Sequence, residues 1–317
     1  FWLMGEVIHG DYSRWVNDDM LHSVTNYQLY KALYSGHNEH NYFEIAHTVR
    51  HLLDKGNLPY HLYNFADNHD VERIYTRLHN KQKFVPLHIL MYTLPGIPSI
   101  YYGSEFGIEG GKEKHSDAVL RPAIHLEDYK NAVNENGCTN IIARLGEIRQ
   151  KNPVFADGIY QEIRLTNRQY AFSRTNETTQ AIVVVNNDEA DSSLEIPANG
   201  TYTEVLSGEV QNVNGNLNIY LRACSGQIWI RNYDETVAKK KEVKILETKQ
   251  AEVKEEIIKQ ATINHSKSYE EMSIEELQAC VLEKLAKNGP VTEQMKRDVV
   301  NNVYYDSLVN WVKSFRN

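Results

Sequence analysis

The sequence predicts an α/β array of parallel βα units, followed by a small antiparallel β-sandwich and a helical tail. Three observations carry this. Through residues 1–152 short apolar runs alternate with helix-periodic segments, the pattern of parallel βα units. Through 153–232 short alternating segments follow one another, punctuated by Asn, Gly and Asp, as in a sandwich. Through 233–317 charges are dense and Gly289 is the only glycine, as in a helical tail.

The first region opens with Phe1–Ile8, an apolar run expected to be a buried strand. Asn26–Ser35 is helix-periodic and Gly36 should close it. Glu44–Lys55 places Ile45, Val49, Leu52 and Leu53 on one helical face, with Gly56 as the stop. Tyr60–Ala66 is the next strand. Val85–Leu94 is an apolar helix with Pro86 near its start, where the missing N–H costs nothing. Ile97–Tyr102 is a strand bracketed by Gly96 and Gly103. Thr139–Lys151 is a helix ending near Pro153.

The sandwich strands are expected at Tyr160–Thr166, Gln169–Arg174, Gln180–Asn186, Ser193–Pro197, Tyr202–Leu206, Leu217–Leu221 and Gln227–Arg231. In the tail, Lys240–Gln260 carries a thin apolar stripe and reads as a linker helix. Ser273 and Glu276 form a Ser-x-x-Glu capping box that opens a helix to Lys287, stopped at Gly289-Pro290. Thr292–Phe315 repeats apolar residues at Met295, Val299, Val303, Leu308, Trp311 and Phe315. The spacing predicts a helical hairpin packed through Leu277, Val281, Leu285, Val299, Val303 and Trp311.

Composition narrows the function classes. The net charge of −8, without a sustained basic block, argues against a nucleic-acid partner. No apolar run is long enough to span a bilayer. Cys138, Cys224 and Cys280 have neither metal-site spacing nor a disulfide framework, which favours a cytoplasmic setting. No targeting segment is readable, and the apolar start at Phe1 suggests that the natural N-terminus lies upstream. The 20 tyrosines suit sugar faces as well as cores. Oligomeric state is not legible.

Three short motifs carry chemistry. They are Met4-Gly5-Glu6-Val7, Phe65 to Arg73 (with Asn68, His69 and Asp70 at its centre), and Gly96 to Glu105. Each alone is unspecific, because a strand-end Glu is commonly a surface charge and Asn and Asp favour turns. Their order raises their meaning. Glu6 and Asp70 are 64 positions apart (70 − 6), room for two βα units of ~30 residues each. In a parallel array the C-terminal strand ends share one rim. Glu6, His69 and Asp70 should therefore converge there. A proton donor and a negative charge on one rim suit glycosidic cleavage, which passes through an oxocarbenium-like centre.

These motifs resemble family 13 of the glycoside hydrolases, the α-amylase family, in its strand-five, strand-seven and strand-eight regions. The resemblance covers roughly residues 1–232. Leu120-Arg121-Pro122 is similar to a segment of cyclomaltodextrinase-like and neopullulanase-like members. It implies half of a (β/α)8 barrel, strands five to eight, and retaining hydrolysis of α-glucosidic bonds in α-glucans or maltooligosaccharides. It implies Glu6 as general acid/base, Asp70 as the carboxylate gripping sugar hydroxyls, and His69 on the same sugar. Ile8, His9 and Asn68 become substrate-contacting candidates, Arg73 a structural one. The family's nucleophile, an aspartate of an Arg-x-Asp motif on strand four, has no counterpart here. The chain is therefore expected to be a fragment, inactive alone. No cofactor or metal is expected, and calcium would enter only through the absent half.

Other features read as structure. His47 and His51 have i, i+4 spacing without the Glu of a zinc helix, as on a solvated face. Gly103–Gly111 matches no phosphate loop, and Trp229 suits the sandwich core. The competing functions are α-glucan transglycosylation with the same residues, a catalytically dead glucosidase-like relative, and a tail that serves protein interaction.

Overall fold

The computed structural model describes residues 1–233, 269, 272–302 and 304–315. They fall into two compact units, Phe1–Asp234 and Glu235–Asn317.

Four short parallel strands organise the start of the first unit: β1 (Met4–Gly5), β2 (Ser23–Val24), β3 (Tyr63–Phe65) and β4 (Ile97–Ser99). β1 pairs with β2 and β3 with β4, and a parallel bridge between Thr25 and Tyr63 joins the pairs. Their C-terminal ends thus face one rim. Phe1–Ile8 is not the buried strand its apolarity suggested. Only Met4 and Gly5 pair, and Phe1, Trp2, Leu3 and Met4 are exposed. Apolar content alone cannot say whether a run has neighbours on both sides.

Helix α1 (Tyr27–Asn38) is capped by Asn26, whose side chain accepts from the Leu29 N–H (3.1 Å). It runs through Gly36 instead of stopping there. A Cβ on Gly36 would meet the Asn41 carbonyl at 2.9 Å and Ile45 at 3.0 Å. That glycine allows close approach to α2 (Tyr42–Leu53), not a turn. The expected strand from Tyr60 begins later, because Leu58–His61 forms a helical turn, α3, with Pro59 in its first positions. The short helices α4 (Ile74–Arg77), α6 (Ala132–Glu135) and α8 (Val154–Asp157) line the connections. Helix α5 (Phe84–Thr93) is apolar all round because it is buried all round, between α7 (Gly137–Lys151) and the β-sheet.

That sheet holds β5 (Ile159–Leu165), β6 (Gln169–Thr175), β7 (Thr179–Asn186), β8 (Ser192–Glu204), β9 (Val210–Leu221) and β10 (Ser225–Asn232). The order is β5-β6-β7-β10-β8-β9, all antiparallel. The alternation of strand side chains separates two cores. Tyr170, Phe172, Val183, Val185, Ile228 and Ile230 share a cluster with Ile89 and Leu90 of α5. Ala171, Ile182, Val184 and Trp229 point the other way and pack with Ile196 and Leu217 of the β8–β9 hairpin. Trp229 is a core residue, 1% exposed. Ser193–Pro197 and Tyr202–Leu206, expected as separate strands, belong largely to one strand, β8. It tolerates Pro197 because β10 pairs with it only at Thr203 and Glu204.

In the second unit, α9 (Ile274–Asn288), α10 (Glu293–Val300) and α11 (Tyr305–Ser314) surround a cluster of Leu277, Val281, Val299, Leu308, Val309 and Val312. Leu285 and Trp311 pack against it half-buried. The single helix expected over Thr292–Phe315 is broken. Asn302 accepts from the Tyr304 N–H (3.2 Å) and donates to Ser307 Oγ (2.9 Å), a local alternative to helix continuation. The hairpin is therefore a three-helix cluster. Val303 and the expected helix over Lys240–Gln260 lie outside the described residues. The capping box is present: Glu276 N–H donates to Ser273 Oγ (3.2 Å) and Ser273 N–H to Glu276 Oε2 (2.8 Å). Ser273→Ala is expected to lower this unit's unfolding free energy by about 1 kcal/mol, measurable by urea titration. An unchanged midpoint would show the cap to be idle.

Candidate active site

Glu6 leaves the end of β1, and Asn68, His69 and Asp70 leave the end of β3. The structure brings Glu6, His69 and Asp70 together: one ligating atom from each lies within 4.8 Å of the others, and all three reach solvent. Such a trio could hold a cation; its donor set is equally that of an acid/base site. The His69 Nε2 and Asp70 Oδ2 atoms are 3.4 Å apart.

The turn carrying them is set by short-range bonds. Asn68 Oδ1 accepts from the N–H groups of Asp70 (2.9 Å) and Val71 (3.2 Å), an Asx turn. Asn68 Nδ2 donates to Tyr27 Oη (2.9 Å), and Tyr27 Oη donates to Glu6 Oε1 (2.7 Å). Burial and the bond to Glu6 push the Tyr27 phenol up to about 12, so it stays a donor at neutral pH. Asn68, a candidate for sugar contact, has both ends of its amide engaged inside the protein.

Beneath the turn sits a buried layer. Asp67 accepts from Ser104 Oγ (2.7 Å) and from the Ile74 N–H (2.8 Å), and its burial raises its carboxyl above the usual range. Arg73 is fully buried, donates to the Tyr102 carbonyl (2.6 Å) and Ser104 Oγ (3.2 Å), and lies over the Tyr101 ring at 4.3 Å. This ties the His69–Asp70 turn to the segment after β4. Asp67→Ala is expected to cost about 3 kcal/mol, since it strands the donors and leaves Arg73 without its nearby carboxylate. Asp67→Asn, which keeps one acceptor oxygen in place, should cost less. Equal urea midpoints for the two variants, both of which lack the charge, would overturn the hydrogen-bond argument.

Ile8 and His9 lie beyond Glu6 and line a cavity of about 510 Å³ with Tyr27, Lys31, Tyr34 and His47. Sequence reasoning missed three participants. Tyr27 follows β2, a two-residue strand too short for periodicity to reveal. Arg121 donates to Asp70 Oδ1 (2.7 Å) and the His69 carbonyl (3.0 Å), and Lys112 donates to the Asp70 carbonyl (2.6 Å). The Leu120–Pro122 resemblance was the available pointer to Arg121; nothing local marked Lys112.

A parallel βα array with this rim, followed by an all-β domain, is the alpha-amylase fold. The alpha amylase catalytic-domain model matches residues 1–193, and the alpha amylase C-terminal all-beta model matches residues 164–248. The chain belongs to the alpha-amylase family. It is 29% identical over 238 residues to neopullulanase 2 of Thermoactinomyces vulgaris, covering 71% of this chain and 39% of that one. It is 28% identical over 184 residues to a cyclomaltodextrin glucanotransferase of Niallia circulans, covering 54% and 24%. The solved alpha-amylase of H. orenii superposes with a TM-score of 0.63 at 22% identity, over 73% of this chain and 53% of that one. The chain thus spans well under two thirds of the length of each of these.

Proposed function

We propose that this chain carries the acid/base and sugar-gripping part of a retaining α-glucan-cleaving site, within strands five to eight of a (β/α)8 barrel. The carrying observation is the convergence of Glu6, His69 and Asp70 within 4.8 Å. Glu6 is the general acid/base. Tyr27 holds Oε1, which leaves Oε2 to face the leaving oxygen. Asp70 and His69 grip sugar hydroxyls, with Asn68 holding Asp70 and Tyr27 in place. Ile8 and His9 border the acceptor side. Asp70 is held by Arg121 and His69, a poor setting for attack on an anomeric carbon. A retaining reaction therefore needs a nucleophile that this constellation does not contain.

Relatives named both hydrolases and glucanotransferases use the same family fold, so transfer to a second sugar is the companion reading. Binding is tested by saturation-transfer NMR with maltotriose. Saturation transfer from the wild-type chain to the sugar is expected, with affinity about tenfold weaker in His69→Ala and Asp70→Ala. Absence of binding, or binding indifferent to both changes, would overturn the proposal.

A further inference from the structure

Glu6, His69 and Asp70 offer two carboxylates and one imidazole, with one ligating atom from each within 4.8 Å of the others. Two of the three residues already stand at the spacing of a coordination shell. Ligand atoms ~2.0–2.2 Å from a tetrahedral zinc ion lie ~3.3–3.6 Å from one another. His69 Nε2 and Asp70 Oδ2 are 3.4 Å apart, which is longer than an ordinary N–H···O bond. Glu6 is exposed at the end of β1, so a small side-chain movement brings it to the same spacing. Both carboxylates are also oriented from behind. Tyr27 Oη donates to Glu6 Oε1 (2.7 Å), and Arg121 Nη2 donates to Asp70 Oδ1 (2.7 Å). Each bond commits one oxygen and leaves the other for a ligand. Outer partners of this kind fix the direction of ligating side chains in metal sites.

The donor set selects the ion. Calcium takes ~6–8 oxygens and magnesium keeps an octahedron of them. Three residues, one of which binds through nitrogen, supply too few. An imidazole with two carboxylates suits zinc, which accepts three protein ligands and an open fourth position. We infer that the Glu6–His69–Asp70 trio is a binding site for zinc or a similar late first-row divalent cation. Arg121 beside Asp70, and Lys112 donating to the Asp70 carbonyl (2.6 Å), place positive charge next to the site. That charge weakens the pull on a cation, so the ion is held reversibly and is not a structural centre. The site stands on these atoms alone. It does not depend on the α-glucan reading, although an ion bound to Glu6 would take it out of acid/base work.

The test is calorimetric titration of ZnCl2, and separately of CaCl2, into the full chain. Wild type should bind zinc one to one and calcium far more weakly. Glu6→Gln and His69→Ala each remove one ligand, and each should weaken zinc binding by about tenfold or more. Their positions lie on different strand ends, so if near-UV circular dichroism shows one variant to be misfolded, the other decides. His47 and His51, exposed one turn apart on α2, are the rival zinc ligands in this chain. His47→Ala should leave the isotherm unchanged. Zinc binding indifferent to both Glu6→Gln and His69→Ala, or lost in His47→Ala, overturns the inference, and so does wild type that takes up no zinc or binds calcium as tightly. None of these outcomes touches the sugar reading, which the maltotriose measurement tests by itself.

Discussion

At about pH 4.5 the first unit is expected to be about 5 kcal/mol less stable than at about pH 7, because of two buried imidazoles. Burial pushes His37 down to about 3 and His88 down to about 4, from an ordinary 6.5. Each ring directs Nδ1 at the carbonyl one turn back, Leu33 at 2.6 Å and Phe84 at 2.8 Å, which fits a neutral ring that donates there. A second proton would find no acceptor at His88 Nε2, which is buried without a partner among the described residues, and only the Tyr42 hydroxyl, 3.4 Å away, at His37 Nε2. Lys83, which donates to the His37 carbonyl (2.9 Å), opposes charge on His37 further. The sign follows from the depressed folded values. As pH falls below about 6.5 the unfolded chain takes up protons that the folded chain refuses, so stability is lost down to about 3–4. Two pH units below 6.5 correspond to roughly 2–3 kcal/mol per ring. Against a typical total of ~5–15 kcal/mol this is enough to populate unfolded chain. Urea midpoints at the two pH values measure it, and His88→Leu should remove about half of the pH dependence. A wild-type midpoint equal at both pH values would show that the rings are not held neutral.

The second large effect is on rate. The 317-residue chain alone is expected to release reducing sugar from maltooligosaccharides no faster than a lone positioned acid allows. General acid catalysis is worth ~10²–10⁴-fold, against ~10⁶-fold and more for a whole enzyme. The reason is geometric. Of the two carboxylates within 4.8 Å, Glu6 is held by Tyr27 for proton transfer, and Asp70 is held by Arg121 and His69. Neither is free to form the glycosyl–enzyme bond that retention requires. Robust turnover by the wild-type chain, lost in Glu6→Gln, would overturn this reading. Turnover kept in that variant would place the chemistry elsewhere.

Several features were open to sequence reasoning because they depend on neighbours along the chain. The 3.6-residue repeat of Ile45, Val49 and Leu52 is buried as expected in α2. The Ser273 cap needs only the Glu three residues on. The convergence of Glu6, His69 and Asp70 was legible because parallel strands carry their C-terminal ends to one rim whatever the details of the connections. Strand β2 was not legible, since two residues show no period. Gly36 was misread because a glycine that ends a helix and one that admits a neighbouring helix look alike without the neighbour.

What the sequence by itself determined is therefore local and periodic: the helix faces, the alternating strands of the β-domain, the capping box and the motif order that marks the alpha-amylase family. The tertiary structure decided what depends on distance through space. It placed Arg121 on an aspartate 51 positions away and Tyr27 on a glutamate 21 positions away. It buried Arg73 and Asp67 beneath the turn, and it folded the β8–β9 hairpin over Trp229. Partners of this kind are selected by packing and by the need to satisfy polar groups taken out of water, and neither leaves a period in the chain.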